Sequence, residues 1–212
     1  MSTSMMRTGS GLILDFGGVL TTPIAHSITA FEESEGLTPG LYERLVHGTA
    51  PGRDLHYALE RGEVSQADWN ATIAQLLGVE PENLMGRTMA ALKPSQPVID
   101  AAQFLRARGV RVGILTNSTG LAPYNPYDGY ELETRYDALV VSEREGLRKP
   151  DPEIYEVMLD RLGLPAASCV FVDDIDTNLD PARTLGMTTV LARDARQVVY
   201  DLESLFDIPL QS

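Results

Sequence analysis

Short apolar runs alternate along this chain with stretches of helical period. Five runs stand out: Leu12 to Phe16, Val110 to Thr116, Ala138 to Ser142, Cys169 to Asp173 and Thr188 to Ala192. With helical stretches between most of them, this order predicts an α/β fold, a doubly wound, Rossmann-like parallel sheet covered by helices on both faces. Two of the helices carry their own punctuation. Pro97 opens a stretch closed by Gly109, and Pro152 opens Glu153 to Leu162, closed by Gly163. Pro suits the first helical turn, and Gly the residue just past the last.

More than ninety residues separate the first run from the second, far beyond an ordinary crossover. That gap has helical patterning of its own, at Ser27 to Glu35, Pro39 to Val46, Gly52 to Glu60 and Ser65 to Leu77. Ser65 stands three residues before Asp68, a start resembling a capping box, and Gly78 ends the stretch. No strand-like alternation occurs there. The expected organisation is a loose tail over 1–10, an α/β core over 11–21 and 94–212, and an all-helical cap over 22–93. Trp69, Leu76 and Leu77 are expected in the core of that cap. The segment Tyr124 to Tyr130, rich in Tyr, Pro and Asn, reads as a loop at the surface or at an entrance.

Composition narrows the picture. The chain has 212 residues, 43% of them hydrophobic and 22% charged, which suits burial of a sizeable core with an inserted subdomain. Seventeen basic against 30 acidic residues give a net charge of −13, a sign that repels phosphate backbones and anionic lipid heads. Nucleic acid and membrane surfaces are therefore excluded as expected partners. Cys169 is the single cysteine and sits in an apolar run, as a buried thiol in a reducing compartment would. No apolar stretch approaches the ~18 to 20 residues of a membrane span, and the expected location is cytoplasmic. Homodimerisation stays open.

In a doubly wound sheet, ligands bind outside the carboxyl ends of the strands. Four run ends are polar: Asp15-Phe16-Gly17-Gly18, Thr116-Asn117-Ser118, Arg148-Lys149-Pro150 and Asp173-Asp174-Ile175-Asp176-Thr177-Asn178. Each could be a turn or a cap when taken singly. Together they gather carboxylates, a hydroxyl, an amide and an ammonium around one point. Carboxylates so close repel one another unless a cation sits among them, and an all-oxygen donor set favours Mg²⁺ over Zn²⁺.

These four stretches, in this order, resemble the motifs of the haloacid dehalogenase superfamily, and the resemblance covers almost the whole chain from residue 11. Within it, Phe171 to Arg183 with the following Thr-Leu-Gly-Met looks most like the amino-terminal phosphatase domain of soluble epoxide hydrolase and its bacterial single-domain relatives. The resemblance implies a hydrolase acting on a small phosphorylated metabolite. Asp15 would be the nucleophile that forms an aspartyl-phosphate, and Lys149 would neutralise charge on it. Thr116, Asn117 and Gly18 would bind the substrate. Asp15, Asp174 and the Gly17 carbonyl would hold Mg²⁺, braced by Asp173 and Asn178.

At one position the chain departs from the family pattern. Most family phosphatases carry a second Asp two residues after the nucleophile, which protonates the leaving oxygen, and this chain has Gly17 there. General acid–base help is worth ~10²–10⁴-fold, so poor leaving groups should suffer most. Three readings remain: a phosphatase for activated phosphates or one that recruits a cap residue or a substrate hydroxyl as the acid, a metal-free dehalogenase, and a silent binder of phosphometabolites. Among the histidines, His26, His47 and His56 share no ligand spacing and are expected at the surface. His26, near the start of the cap, and Tyr42 are candidates to face the crevice.

Overall fold

The computed structural model describes residues 10–210, so residues 1–9 of the expected tail lie outside it. Strand β1 (Gly11–Leu14) is followed by helices α1 (Ile24–Ser34), α2 (Ala50–Glu60), α3 (Gln66–Leu77), α4 (Leu84–Met89) and α5 (Gln96–Arg106). Then come β2 (Arg111–Thr116), α6 (Leu132–Arg135), β3 (Ala138–Val141), α7 (Ser142–Glu145) and α8 (Pro152–Leu162). The chain ends with β4 (Cys169–Asp173), α9 (Asp176–Leu185), β5 (Thr188–Leu191) and α10 (Ala195–Phe206).

The five strands form one sheet in the order β3-β2-β1-β4-β5, and every pairing is parallel. Side chains alternate across it. Leu12, Leu14, Val112, Ile114, Val170 and Val172 pack on one face with α5 and α10, while Ile13, Leu115, Cys169 and Phe171 pack on the other with α8 and α9. Both faces are covered, so the strands read as unbroken apolar runs rather than as alternation. As expected, Cys169 is a buried free thiol. Among the described residues no helix is long and apolar enough to cross a membrane.

Between β1 and α5 the chain is helical and gathers a third apolar cluster around Phe31, Tyr42, Val46, Trp69, Ile73, Leu84 and Met85. It leaves and rejoins the sheet through a pair of adjacent segments. Thr22 donates its amide to the Lys93 carbonyl (2.8 Å), and Ser95 donates to the Leu20 carbonyl (2.8 Å).

Several element bounds differ from the sequence reading, each for a visible reason. Helix α1 begins at Ile24 after Pro23, because the Ser27 hydroxyl is not a cap: it donates to the Thr88 carbonyl (2.7 Å) and ties α1 to α4. Helix α2 begins at Ala50 because the Thr49 hydroxyl accepts the Gly52 amide. The stretch expected to be helical from Pro39 to Val46 is helical only from Leu41, and it widens into a π-helical turn over Glu43–His47. Ser65 does cap α3, accepting from the Asp68 amide and donating to the Asp68 carboxylate. Leu76, expected in the core, points outward and is 43% exposed.

Candidate active site

The carboxyl ends of β1, β2 and β4 and the loop after α7 meet at the floor of a cavity of about 560 Å³, roofed by the helical insertion. Asp15, Gly17, Thr116, Asn117, Lys149, Asp174 and Asn178 all line it. The Lys149 ammonium is its pivot. The Nζ lies 2.9 Å from Asp15 Oδ1 and 2.6 Å from Asp173 Oδ2, and the side chain is almost wholly buried. Burial alone would lower the pKa of this ammonium, but the two carboxylates outweigh it and raise it.

Each partner is braced in turn. Asp173 accepts from the Ile175 amide (2.8 Å) and from Asn178 Nδ2 (3.0 Å), and it lies beneath the cavity rather than on it. Asn117, expected to bind substrate, lines the cavity and clasps the backbone of Lys149. Its Oδ1 accepts the Lys149 amide (2.8 Å) and its Nδ2 donates to the Lys149 carbonyl (3.1 Å). Gly18 donates its amide to the Thr21 hydroxyl (3.0 Å) and has φ +71°. A Cβ there would come within 2.2 Å of Asp174 Oδ2. Glycine at 18 is thus what lets the Asp174 carboxylate lie against the β1 loop.

Asp15, Asp173 and Asp174 each offer an oxygen, and these atoms lie within 4.8 Å of one another. Burial, reinforced by its two acidic neighbours, pushes the Asp15 carboxyl up to about 8 despite Lys149. Burial and Asp173 push Asp174 up to about 6. One ammonium does not balance three carboxylates in so dry a place. The donors are all oxygens, and the set fits a hard divalent cation that would restore the ionised form of Asp15.

Of the three histidines expected at the surface, two sit in the roof instead. His26 is exposed and away from the cavity, whereas His47 and His56 line it with their rings 4.8 Å apart. Burial lowers the His56 imidazole to about 3. Tyr42 lines the cavity as expected. Arg148 packs its guanidinium 3.7 Å over the Tyr57 ring and pairs with Glu60 (2.5 Å). The loop after β2 is held from above as well: Gln66 Nε2 donates to the Thr119 and Tyr124 carbonyls, and Gln66 Oε1 accepts the Tyr124 amide. Tyr127 and Tyr130 do not reach the cavity but pack edge-on against Phe16. No sequence signal marks His47 or His56, because helical period does not say which face meets the sheet. Arg148 stood beside Lys149 in the sequence without revealing its partner.

Residues 10–186 match the family described as haloacid dehalogenase-like hydrolase. The chain is 32% identical over 218 residues to bifunctional epoxide hydrolase 2 of Sus scrofa, covering 93% of this chain and 39% of that protein. It therefore spans about two fifths of that relative's length. A sesquiterpene phosphatase, astK, of Aspergillus oryzae is 25% identical, with 95% and 98% of the two chains covered. Among solved structures, a HAD-like family hydrolase of Porphyromonas gingivalis superposes with a TM-score of 0.69 at 21% identity, over 92% and 98% of the chains. A HAD family enzyme of Bacteroides thetaiotaomicron, in complex with magnesium and inorganic phosphate, gives 0.64 at 20% identity, over 87% and 96%.

Proposed function

Because the chain belongs to the haloacid dehalogenase-like hydrolase family, we propose that it is a Mg²⁺-dependent phosphatase that acts on a small phosphorylated metabolite through Asp15. The observation that carries this is the Asp15 carboxylate on the cavity floor, 2.9 Å from Lys149 and clustered with Asp174. Asp15, Asp174 and the Gly17 carbonyl are the groups to hold Mg²⁺, which supplies positive charge for the phosphoryl oxygens. An Asp15 oxygen attacks phosphorus as the bond to the leaving oxygen breaks, giving an aspartyl-phosphate. Water then attacks the phosphorus of that acyl phosphate, the bond from phosphorus to the Asp15 oxygen breaks, and the Asp15 carboxylate and inorganic phosphate are released. Lys149 holds charge off the attacking oxygen throughout, and Thr116 and nearby backbone amides orient the phosphoryl group.

We place residues 22–93 as a cap that closes over this floor, excludes water and selects the substrate. The leaving-group side is short of a proton donor. Gly17 lines the cavity, and a Cβ built there would lie 2.6 Å from Ile24 Cδ1 on α1. An acidic side chain at 17 would have to push the end of Ile24 aside. Activated esters such as aryl or acyl phosphates are the substrates this wall tolerates best.

Release of inorganic phosphate from p-nitrophenyl phosphate and acetyl phosphate is the direct test. Turnover should need Mg²⁺, stop with a chelator, and fall by at least about 10³-fold in Asp15→Asn. Halide release from chloroacetate in the presence of chelator would replace this reading with a dehalogenase. A phosphate-induced rise in melting temperature without any turnover would mark a silent binder.

A further inference from the structure

Where the helical insertion meets the sheet edge, one residue reaches both loops that hold Lys149. Glu60 ends α2 and is buried. Its carboxylate pairs with Arg148 Nε at 2.5 Å, and Arg148 is the residue before Lys149. Tyr57, one turn earlier on α2, lies 3.7 Å from the same guanidinium, ring face towards it. The Glu60 carbonyl accepts the Ser142 hydroxyl (2.5 Å), and the oxygen of that hydroxyl accepts the Ser118 amide (2.7 Å). Ser118 follows Asn117, whose side chain holds the Lys149 amide and carbonyl. The join is close: a Cβ on Gly62, just past α2, would lie 2.8 Å from the Glu143 carbonyl oxygen.

Asp15 and Asp173 fix the direction of the Lys149 ammonium, but its backbone is placed by its neighbours. Asn117 grips it from the loop after β2, and Arg148 anchors the preceding residue to α2. Burial raises the Glu60 carboxyl, against the pull of Arg148, Lys149 and Asn117, and little water screens the pair. A displacement of ~1 Å at a charge that faces a reacting group can cost about 10²-fold in rate. The insertion has a second hold on the sheet edge at Gln66, which grips the backbone of Thr119 and Tyr124, past Asn117 on the loop after β2.

We propose that Glu60 is a positioning residue: through Arg148 on one side, and through Ser142 and Ser118 on the other, it lets the docked insertion set the place of Lys149. The ammonium then stands in register with the phosphoryl group only while α2 is seated, so the insertion acts on the chemical step as well as on access. The effect on rate rests on the phosphatase reading; the hold on Lys149 does not.

Lys93 and Lys149 are the two lysines of the chain, and Lys93 is exposed. Protein carrying ¹⁵N-labelled lysine therefore offers the buried Lys149 ammonium as one nuclear magnetic resonance signal and Lys93 as an internal reference. Glu60→Gln, which keeps the shape and removes the charge, should move or broaden the Lys149 signal and leave Lys93 in place. In single turnovers of p-nitrophenyl phosphate with Mg²⁺ it should slow phosphoryl transfer about tenfold with little change in substrate affinity. Arg148→Gln should do the same, and reads the same two quantities if Glu60→Gln does not fold. The double variant should lose no more than either single one, because the two side chains act as a unit. Gln66→Ala, which loosens the other hold, should change both readouts less. A Lys149 signal indifferent to Glu60→Gln, or a native single-turnover rate in that variant, overturns the inference. So do additive losses in the double variant, or a Gln66→Ala effect equal to that of Glu60→Gln, which would mark docking of the insertion in general. A native protein that turns nothing over, with the Lys149 signal still moved by Glu60→Gln, overturns the phosphatase reading and leaves the hold on Lys149 standing.

Discussion

The floor and the roof of the cavity are built on opposite plans. On the floor, Lys149, Asp173, Asn178 and Asn117 bond to one another, and buried charge is held in fixed positions by strand ends and short loops. On the roof, Ile24, Ile28 and Met89 are apolar, and the His56 Nδ1 has no partner among the described residues. A floor whose dipoles and charges are already in place needs no reorganisation as charge develops on a phosphoryl group. In the proposed function, chemistry belongs to the sheet edge and selection to the helical insertion.

The division breaks most visibly at Lys149. Lys149→Met removes the one ammonium between Asp15 and Asp173, and taking one partner from a buried ion pair costs about 3–5 kcal/mol. At about 2–4 °C per kcal/mol for a chain of this size, melting should fall by about 10 °C, and kcat by at least about 10²-fold. Met89→Ala on the roof should act chiefly on KM. A Lys149→Met protein that melts normally, or a Met89→Ala protein that loses kcat at constant KM, would dissolve the distinction.

Metal and pH sharpen it next. Asp15 and Asp174 have folded-state pKa values of about 8 and about 6, above the ordinary carboxylate range. A raised acid holds its proton more tightly in the folded state, so its contribution is full below about pH 4 and is lost as pH climbs toward 8. Without Mg²⁺, melting temperature should therefore decline from pH 5 to pH 8. Saturating Mg²⁺, which favours the ionised carboxylates, should raise it by about 5–10 °C at pH 8 and by less at pH 5. Equal shifts at both pH values in thermal melts would place the metal elsewhere.

The same division explains what the amino-acid sequence discloses. Strands buried on both faces write themselves as contiguous apolar runs, and Cys169 to Asp173 matches β4 residue for residue. Asp15 and Asp174 stand at the ends of such runs, so they are legible as neighbours in space before any coordinates are known. The roles of individual groups are less legible. Asn117 stands at the right strand end, yet its amide clasps the Lys149 backbone, a partner 32 residues away. His47, His56 and Ile24 lie in a turn or on helices whose inward face is set by how the insertion packs, which no period within one helix encodes. Gly18 reads as a turn glycine. Only the 2.2 Å approach of Asp174 to its missing side chain shows what the glycine is for.

The smallest expected effect concerns the seam where floor meets roof, at Gly17 and Ile24. On the chain pattern alone, Gly17→Asp should restore a proton donor and raise turnover of alkyl phosphates. The structure alters that expectation, because the new Cβ would lie 2.6 Å from Ile24 Cδ1 and the carboxyl would have to displace it. Gly17→Asp alone should therefore give a smaller gain, because the end of Ile24 has to swing aside. Paired with Ile24→Ala, which opens the space, it should raise kcat for glycerol phosphate about tenfold, the lower reach of general acid catalysis, while p-nitrophenyl phosphate, with its good leaving group, gains little. The diagnostic quantity is the dependence of kcat on leaving-group basicity, steep in the native protein and shallower in the double variant. If the single substitution flattens it as well as the double one, Ile24 is no barrier, and the apolar seam does not account for the choice of leaving group.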